Sequence, residues 1–421
     1  MRRENLLRMV VRLIVSPTII FTVALAIRIV VLAHLLPEMA DRGFYHGNEA
    51  ARIAWAMASG NGFSSPWPHT PIVPTANQPP VYPALLAVIF KVAGAYSYLS
   101  LWIAVLLNAI FSSLTAVLIF RLGKQTFGAV VGILAGWTWA CWVYEAAVSV
   151  RLWESALSGL MLMNGLCLLW YLRDSRRWFG WCLFGILAGG ASLLNTSLLP
   201  LFFFFLLWLW VDGRKRGLPA TQQVLGAAAI CLLTLLPWTI RNYEVFHHVI
   251  PVRNNFGLEL WIGNHQGVTY LYEYTAPFPL RDPTEYNQLG EMRFMEERQR
   301  LALEFIRENP AQFLRLCGQR FFNFWTSPYQ KTWFTISLAS WLGVVLAIRQ
   351  QKVLAAPFAT VLLVFPAIYY VTHTWSTYRH PIEPVIILLA TSFAVSGIRY
   401  LLQIAGHSPD WLQNRAHASL I

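Results

Sequence analysis

Charged side chains are scarce in this chain: 12% of 421 residues, against about 25% in an ordinary soluble domain. With 56% hydrophobic residues and a mean hydropathy of +0.48, that scarcity excludes a water-soluble body and makes lipid the main solvent. Cysteine is also sparse. Cys141, Cys167, Cys182, Cys231 and Cys317 form no CxxC pair, and the first four lie in or beside apolar runs. They read as small hydrophobes, not as a disulfide framework or a zinc site. Walker A, GxGxxG, HExxH, GxSxG and DxD motifs are absent, which argues against nucleotide-driven transport, zinc proteolysis and serine hydrolysis. Acidic residues are outnumbered by basic ones, 20 to 32. The basic residues sit mostly in short loops between apolar runs, so the charge reads as membrane topology and as affinity for lipid head groups or phosphates, not for nucleic acid.

What is present is a series of apolar runs of membrane-spanning length. A spanning helix needs about 20 mostly apolar residues. Ten such runs lie near 13–35, 97–120, 126–144, 152–172, 178–193, 197–211, 221–239, 332–348, 353–372 and 383–403. The first has no small-residue cleavage site after it and reads as a retained helix. Arg2, Arg3, Arg8 and Arg12 precede the first run. Alternation then places Arg121/Lys124, Arg173/Arg176/Arg177, Arg214/Lys215/Arg216 and Arg349/Lys352 on the same side. The positive-inside rule makes that side cytoplasmic, with both termini there. The chain thus reads as one all-α polytopic membrane domain, 1–421, with two long outer loops at 36–96 and 240–331.

The outer loops hold the chemistry. Residues 47–59 have helical periodicity, closed by Gly60 and Gly62, and residues 80–94 are apolar but short and follow Pro79-Pro80. The second of these reads as an interfacial helix, since a span there would turn every basic loop outward. Residues 288–325 look helical, with Pro310 restarting the helix. Glu49, at the start of the first outer helix, is a candidate general base; a bland helix-dipole role weighs equally. Arg28, Arg241, Arg253, Arg379 and His380 come from distant parts of the chain and reach one depth near the outer membrane ends. Guanidinium forks suit phosphate oxygens, so together they outline a pocket for an anionic lipid head group, against the alternative of snorkelling to the interface. Glu145, Arg151 and Glu154 flank a short outer loop, where they pair with each other or form the acceptor or metal side of the site; Glu383 is placed to pair with Arg379. The block 253–264 (RNNFGLELWIGN) brings Arg253, Asn254, Glu259 and Asn264 together with stacking aromatics, a lining suited to a sugar.

The order of these pieces resembles the GT-C superfamily of polytopic glycosyltransferases, and most closely the bacterial branch related to protein mannosyltransferases and aminoarabinose transferases. The resembling residues are a single span, GNEAARIAWAMASGNGFSSP (47–66), QPPVYPALLAVIFKVAG (78–94, with Tyr82), PWTIRNY (237–243), RNNFGLELWIGN (253–264), GEMRF (290–294), ALEFIRENPAQFLRL (302–316) and YRHPIEP (378–384). The resemblance implies an active site at the outer face that takes a sugar from a polyprenyl-phosphate carrier and passes it, usually with inversion, to a lipid, glycan or protein acceptor. The first-loop acid of the family, commonly Asp, maps onto Glu49, with Asp41 as the alternative. Glu145 or Glu154 matches the acid some relatives carry in a second outer loop. No cofactor is implied beyond an optional divalent metal.

Two rival classes make different demands. A lipid or solute transporter or flippase needs ionisable groups at mid-membrane and commonly shows inverted repeats; the apolar runs are largely uncharged at their centres and no internal repeat is evident. A non-enzymatic scaffold leaves the dense polar and aromatic outer loops without a purpose.

Overall fold

The computed structural model describes residues 13–41, 49–67, 70–218, 220–268, 283–326 and 332–405. Arg2, Arg3, Arg8 and Arg12, the 45–48 part of the first-loop motif, and residues 269–282 lie outside the described residues. The described residues are mostly helical: α1 Pro17–Asp41, α2 Glu49–Ala58, α3 Val81–Ala93, α4 Tyr98–Phe127, α5 Ala129–Cys141, α6 Val143–Ser149, α7 Ser155–Leu172, α8 Trp178–Ser192 and α9 Leu199–Lys215 come first. They are followed by α10 Thr221–Phe246, α11 Phe256–Gly263, α12 Thr284–Leu289, α13 Glu291–Glu308, α14 Pro310–Thr326, α15 Thr332–Arg349, α16 Ala355–Val364, α17 Ala367–Val371 and α18 Glu383–Ile404. Tight 3₁₀ turns cover Thr196–Leu198 and Ser376–Ile382.

Among the described residues, seven helices are long and apolar enough to cross a membrane, and the bent pair α5–α6 makes an eighth. The remaining two expected runs are the shorter apolar helices Trp178–Ser192 and Ala355–Val371. Each of the ten expected runs is therefore helical, although two fall short of a full span. Val81–Ala93 is a short apolar helix, as its length and the preceding prolines suggest. The lipid-facing surface is plain on α10, where Leu232 and Leu233 are 67% and 62% exposed. Adjacent exposed leucines are a liability in water and ordinary against acyl chains. The chain is a multi-pass membrane protein.

The break between α5 and α6 is a bend of 63°. It leaves carbonyls at the end of α5 without helical partners, and no water reaches them in a bilayer. Arg28 of α1 supplies the donors. Its Nη1 donates to Ala140 O (3.2 Å) and Ala24 O (3.1 Å), Nη2 donates to Trp139 O (3.2 Å), and Nε donates to Ser112 Oγ (2.8 Å). The side chain is wholly buried.

Helices α15 and α18 cross backbone to backbone. A Cβ on Gly343 would lie 2.3 Å from Leu389 O, so only hydrogen fits. A Gly343→Val variant is expected to lose about 1–3 kcal/mol of stability through overpacking. Thermal unfolding in detergent reads this; an unchanged melting temperature contradicts the close crossing.

Candidate functional site

Glu49 opens α2, and segments of the first outer loop fold back over it. Trp67 Nε1 donates to Glu49 Oε1 (3.0 Å), Asn77 Nδ2 donates to Oε2 (3.1 Å), and Gln78 Nε2 also donates to Oε2. Trp67 is held edge-on to the Tyr286 ring, with centroids 4.6 Å apart. Burial pushes the Glu49 carboxyl above the ordinary glutamate range; the Trp67 N–H opposes this, the Glu259 charge adds to it, and Arg253 and the Gln78 N–H oppose it. The result is an oriented carboxylate with a strengthened appetite for a proton.

Glu154, at the mouth of α7, lies in the same field. Burial raises its carboxyl to about 7, with Arg253 working against the rise and Glu49 adding to it. Arg253 sits among these acids. Its Nη2 donates to Glu259 Oε1 (3.2 Å), while among the described residues its buried Nε has no hydrogen-bond partner. Asn255 Nδ2 donates to the same Glu259 oxygen. Across from them, His373 places Nδ1 3.5 Å from Glu259 Oε2 and Nε2 3.1 Å from Tyr378 Oη. Burial lowers the His373 pKa against the pull of Glu259, which favours the neutral imidazole. Tyr378 stacks on Tyr369 (4.9 Å), whose hydroxyl meets Ser197 Oγ at 3.1 Å.

The block 253–264 is the frame for this cluster. Asn254 N donates to Ala76 O (2.8 Å), tying the block to the loop that carries Asn77 and Gln78. Asn254 Nδ2 turns to Met292 Sδ (3.1 Å). Asn264 Nδ2 donates to Leu260 O (2.7 Å) and Val371 O (2.9 Å), and Arg320 Nη1 donates to Val371 O (3.1 Å). Gly263 permits this junction: a Cβ there would lie 1.7 Å from Thr372 O. The backbone beside His373 is thereby docked onto α11. Tyr82 Oη accepts from Asn108 Nδ2 (3.0 Å), which also donates to Arg151 O (2.7 Å) and Trp153 O (3.2 Å), fixing the turn that presents Glu154.

Of the residues expected from the sequence, Glu49, Glu154, Arg253 and Glu259 share one electrostatic cluster. Arg241 stands behind it. Its Nη1 donates to Thr75 O (2.8 Å) and Nη2 to Phe63 O (2.9 Å), with the guanidinium 5.0 Å from the Trp238 ring centre. Arg28, Glu145, Arg379 and His380 form another group. Arg379 Nε lies 2.5 Å from Glu383 Oε1, as its spacing suggested; Nη1 donates to Ser337 Oγ (2.8 Å) and Trp325 O (3.2 Å), and its guanidinium lies 4.3 Å over Trp333. His380 Nδ1 meets Glu145 Oε2 at 2.6 Å, and Glu145 feels the Arg28 charge. These side chains are buried and matched within the bundle. Sequence reasoning did not single out Trp67, Asn77, Gln78 or His373. Gln78 heads the QPPVYP stretch and His373 opens the short outer loop 373–382, so position alone was the available signal.

A cavity of about 270 Å³ lined by Leu172, Arg173, Trp181 and Arg216 lies at the other end of α7. Eighteen helical residues put it about 27 Å from Glu154, away from this chemistry.

The family model described as dolichyl-phosphate-mannose-protein mannosyltransferase matches residues 77–240. The match begins at Asn77 of the Glu49 cradle and takes in Tyr82, Glu145 and Glu154; Glu49 and Arg253 lie outside it. No curated protein and no solved structure gave a significant match. Over residues 77–240 this chain is similar to the dolichyl-phosphate-mannose-protein mannosyltransferase family, a family of the GT-C superfamily of membrane glycosyltransferases.

Proposed function

We propose that this glycosyltransferase moves a sugar from a polyprenyl-phosphate carrier to an acceptor hydroxyl or amine on the outer face of a bacterial cytoplasmic membrane, with inversion. The observation that carries the reading is the oriented Glu49 carboxylate in the same field as Arg253, whose Nε lacks a partner among the described residues. Glu49 accepts the acceptor proton as the nucleophile attacks the anomeric carbon. The bond from that carbon to the phosphate oxygen breaks, and its electron pair stays on the polyprenyl phosphate. Arg253 faces the charge that grows on that leaving group. Tyr378, Tyr369 and the block 253–264 offer the sugar ring stacking faces and hydrogen bonds. Glu154 and Glu259 supply further acceptors for substrate hydroxyls, and among the described residues no group of three or more His, Cys, Asp or Glu is placed to hold a metal ion. The family match weighs against a transporter or flippase without transferase chemistry.

Four tests bear on this. Glu49→Gln keeps the shape and removes the base; in membranes supplied with a lipid-linked sugar donor, a drop of about 10²–10⁴-fold in kcat is expected, and full activity ends the role of Glu49. In the intact enzyme Glu49 must be unprotonated to act. Its pKa is raised, so kcat/KM should fall on acidification at a pH above the ordinary glutamate range; a profile flat down to pH 4 contradicts this.

Arg253→Ala should cost about 10²–10³-fold in rate with the fold intact. Arg379→Ala should instead destabilise the bundle by about 3–5 kcal/mol, because it strands the buried Glu383 carboxylate. If the two variants behave alike in both activity and melting temperature, the division of labour is wrong.

Topology is read with single cysteines in a background lacking the five native ones. A membrane-impermeant maleimide should reach Arg300→Cys from outside intact cells and Arg176→Cys only after lysis. The reverse pattern places the cluster on the cytoplasmic side.

A further inference from the structure

Glu291 is a carboxylate that the chemistry above does not use, yet it is 93% buried at the first residue of α13. A lone acid at a helix start is ordinary, because the macrodipole favours it there. What sets Glu291 apart is where its oxygens go. Oε1 accepts from Ala76 N (2.7 Å), and Oε2 accepts from Tyr286 Oη (3.0 Å) and from Thr75 Oγ1. All three bonds lead toward Glu49. Thr75 and Ala76 immediately precede Asn77 and Gln78, whose amides donate to Glu49. The Tyr286 ring is the one against which Trp67, the third donor to Glu49, stands edge-on. Thr75 Oγ1 in turn accepts from Asn77 N (3.0 Å), fixing the backbone of the residue that reaches the base.

The same short stretch is gripped from its other sides. Arg241 Nη1 donates to Thr75 O, and Asn254 N donates to Ala76 O. With Glu291 removed, those two bonds and the one from Thr75 N to Phe63 O (3.0 Å) still tether the segment, but the Ala76 N–H and the Thr75 O–H lose their acceptor, and Thr75 Oγ1 is left with the Asn77 N–H alone. The segment then stays in place while its side chains lose their aim.

We propose that Glu291 is the positioning residue of this site: through Thr75, Ala76 and Tyr286 it aims the amide and indole donors that orient Glu49 and set its proton affinity. The inference rests on Glu49 being the reactive acid, and it extends that reading to the machinery behind it. Donors to a carboxylate stabilise its charged form, so misaimed donors raise its pKa. The charges facing Glu49 from the packed elements are Glu154, Glu259 and Arg253, none of which contacts Glu291. Glu291 itself faces Arg241 and Tyr286, and burial raises its carboxyl to about 7.

The test reads Glu49 directly and independently of turnover. Its carboxyl band is identified by infrared spectroscopy as the one missing from Glu49→Gln, and its midpoint is followed with pH in the full-length protein. In Glu291→Ala the midpoint should move upward by about one pH unit, a tenfold change in proton affinity. Asn77→Ala should give a similar shift, and the double variant should add little to either. In kinetics, Glu291→Ala should lower kcat and move the acid limb to higher pH, with KM for the lipid-linked donor within twofold. Thr75→Val and Tyr286→Phe, which each remove one bond to Glu291, should shift the midpoint less; they serve if Glu291→Ala does not fold. An unmoved Glu49 midpoint in all three variants overturns the proposal and leaves Glu291 as a structural residue only. Full activity of Glu49→Gln, by contrast, overturns the general-base reading and leaves the spectroscopic result standing.

Discussion

A carboxylate drawn away from water is unstable unless donors surround it, and the segments around α2 are arranged to meet that condition at Glu49. The donors come from Trp67, Asn77 and Gln78, residues 18 to 29 positions further along the chain. They converge because the loop carrying them is clamped by α10 through Arg241, by the 253–264 block through Asn254, and by α13 through Glu291. Segments that no local propensity would bring together are therefore bound to one another by polar contacts to backbone. The acid field of Glu154 and Glu259, balanced by Arg253, is the electrostatic expression of the same convergence.

Arginine has two separate uses here. Arg28, Arg320 and Arg379 are fully buried, and each donates to backbone carbonyls that helices have left unpaired. In a bilayer such carbonyls have no alternative partner, and a planar fork with five donors answers several at once. Arg253 differs in being partly exposed, paired through one nitrogen, and surrounded by side chains instead of helix ends. The distinction separates cations that hold the bundle from the cation proposed to face the substrate.

The sequence made the membrane architecture legible because lipid imposes a strong local code: about 20 apolar residues per span and basic loops on one side. It also pointed to Glu49, Arg253, Glu259 and Glu154, which the fold gathers into one cluster. It did not separate these from Arg28 and Arg379, since nothing in a linear pattern records that a helix breaks at Trp142 and needs a cap. The Glu49 cradle was illegible for a related reason. Trp67, Asn77 and Gln78 act through long-range hydrogen bonds, and an amide next to two prolines reads locally as a turn. Gly263 was visible as one glycine in a polar block, but its reason, a backbone closer than any side chain allows, exists only in three dimensions.

The capping of α5 by Arg28 has a consequence for how the protein is made. Arg28 falls at the middle of the Pro17–Met39 span, not toward its outer end as the run 13–35 suggested; an arginine there costs about 2.5–3.5 kcal/mol to insert, and its Trp139 and Ala140 acceptors emerge more than 110 residues later. Before α4 and α5 are made, the one acceptor of this set within reach is Ala24 O of its own helix. The first helix is apolar enough to enter on its own, at a mean hydropathy of 2.5, but its guanidinium gains its full set of acceptors only once α4 and α5 have been made.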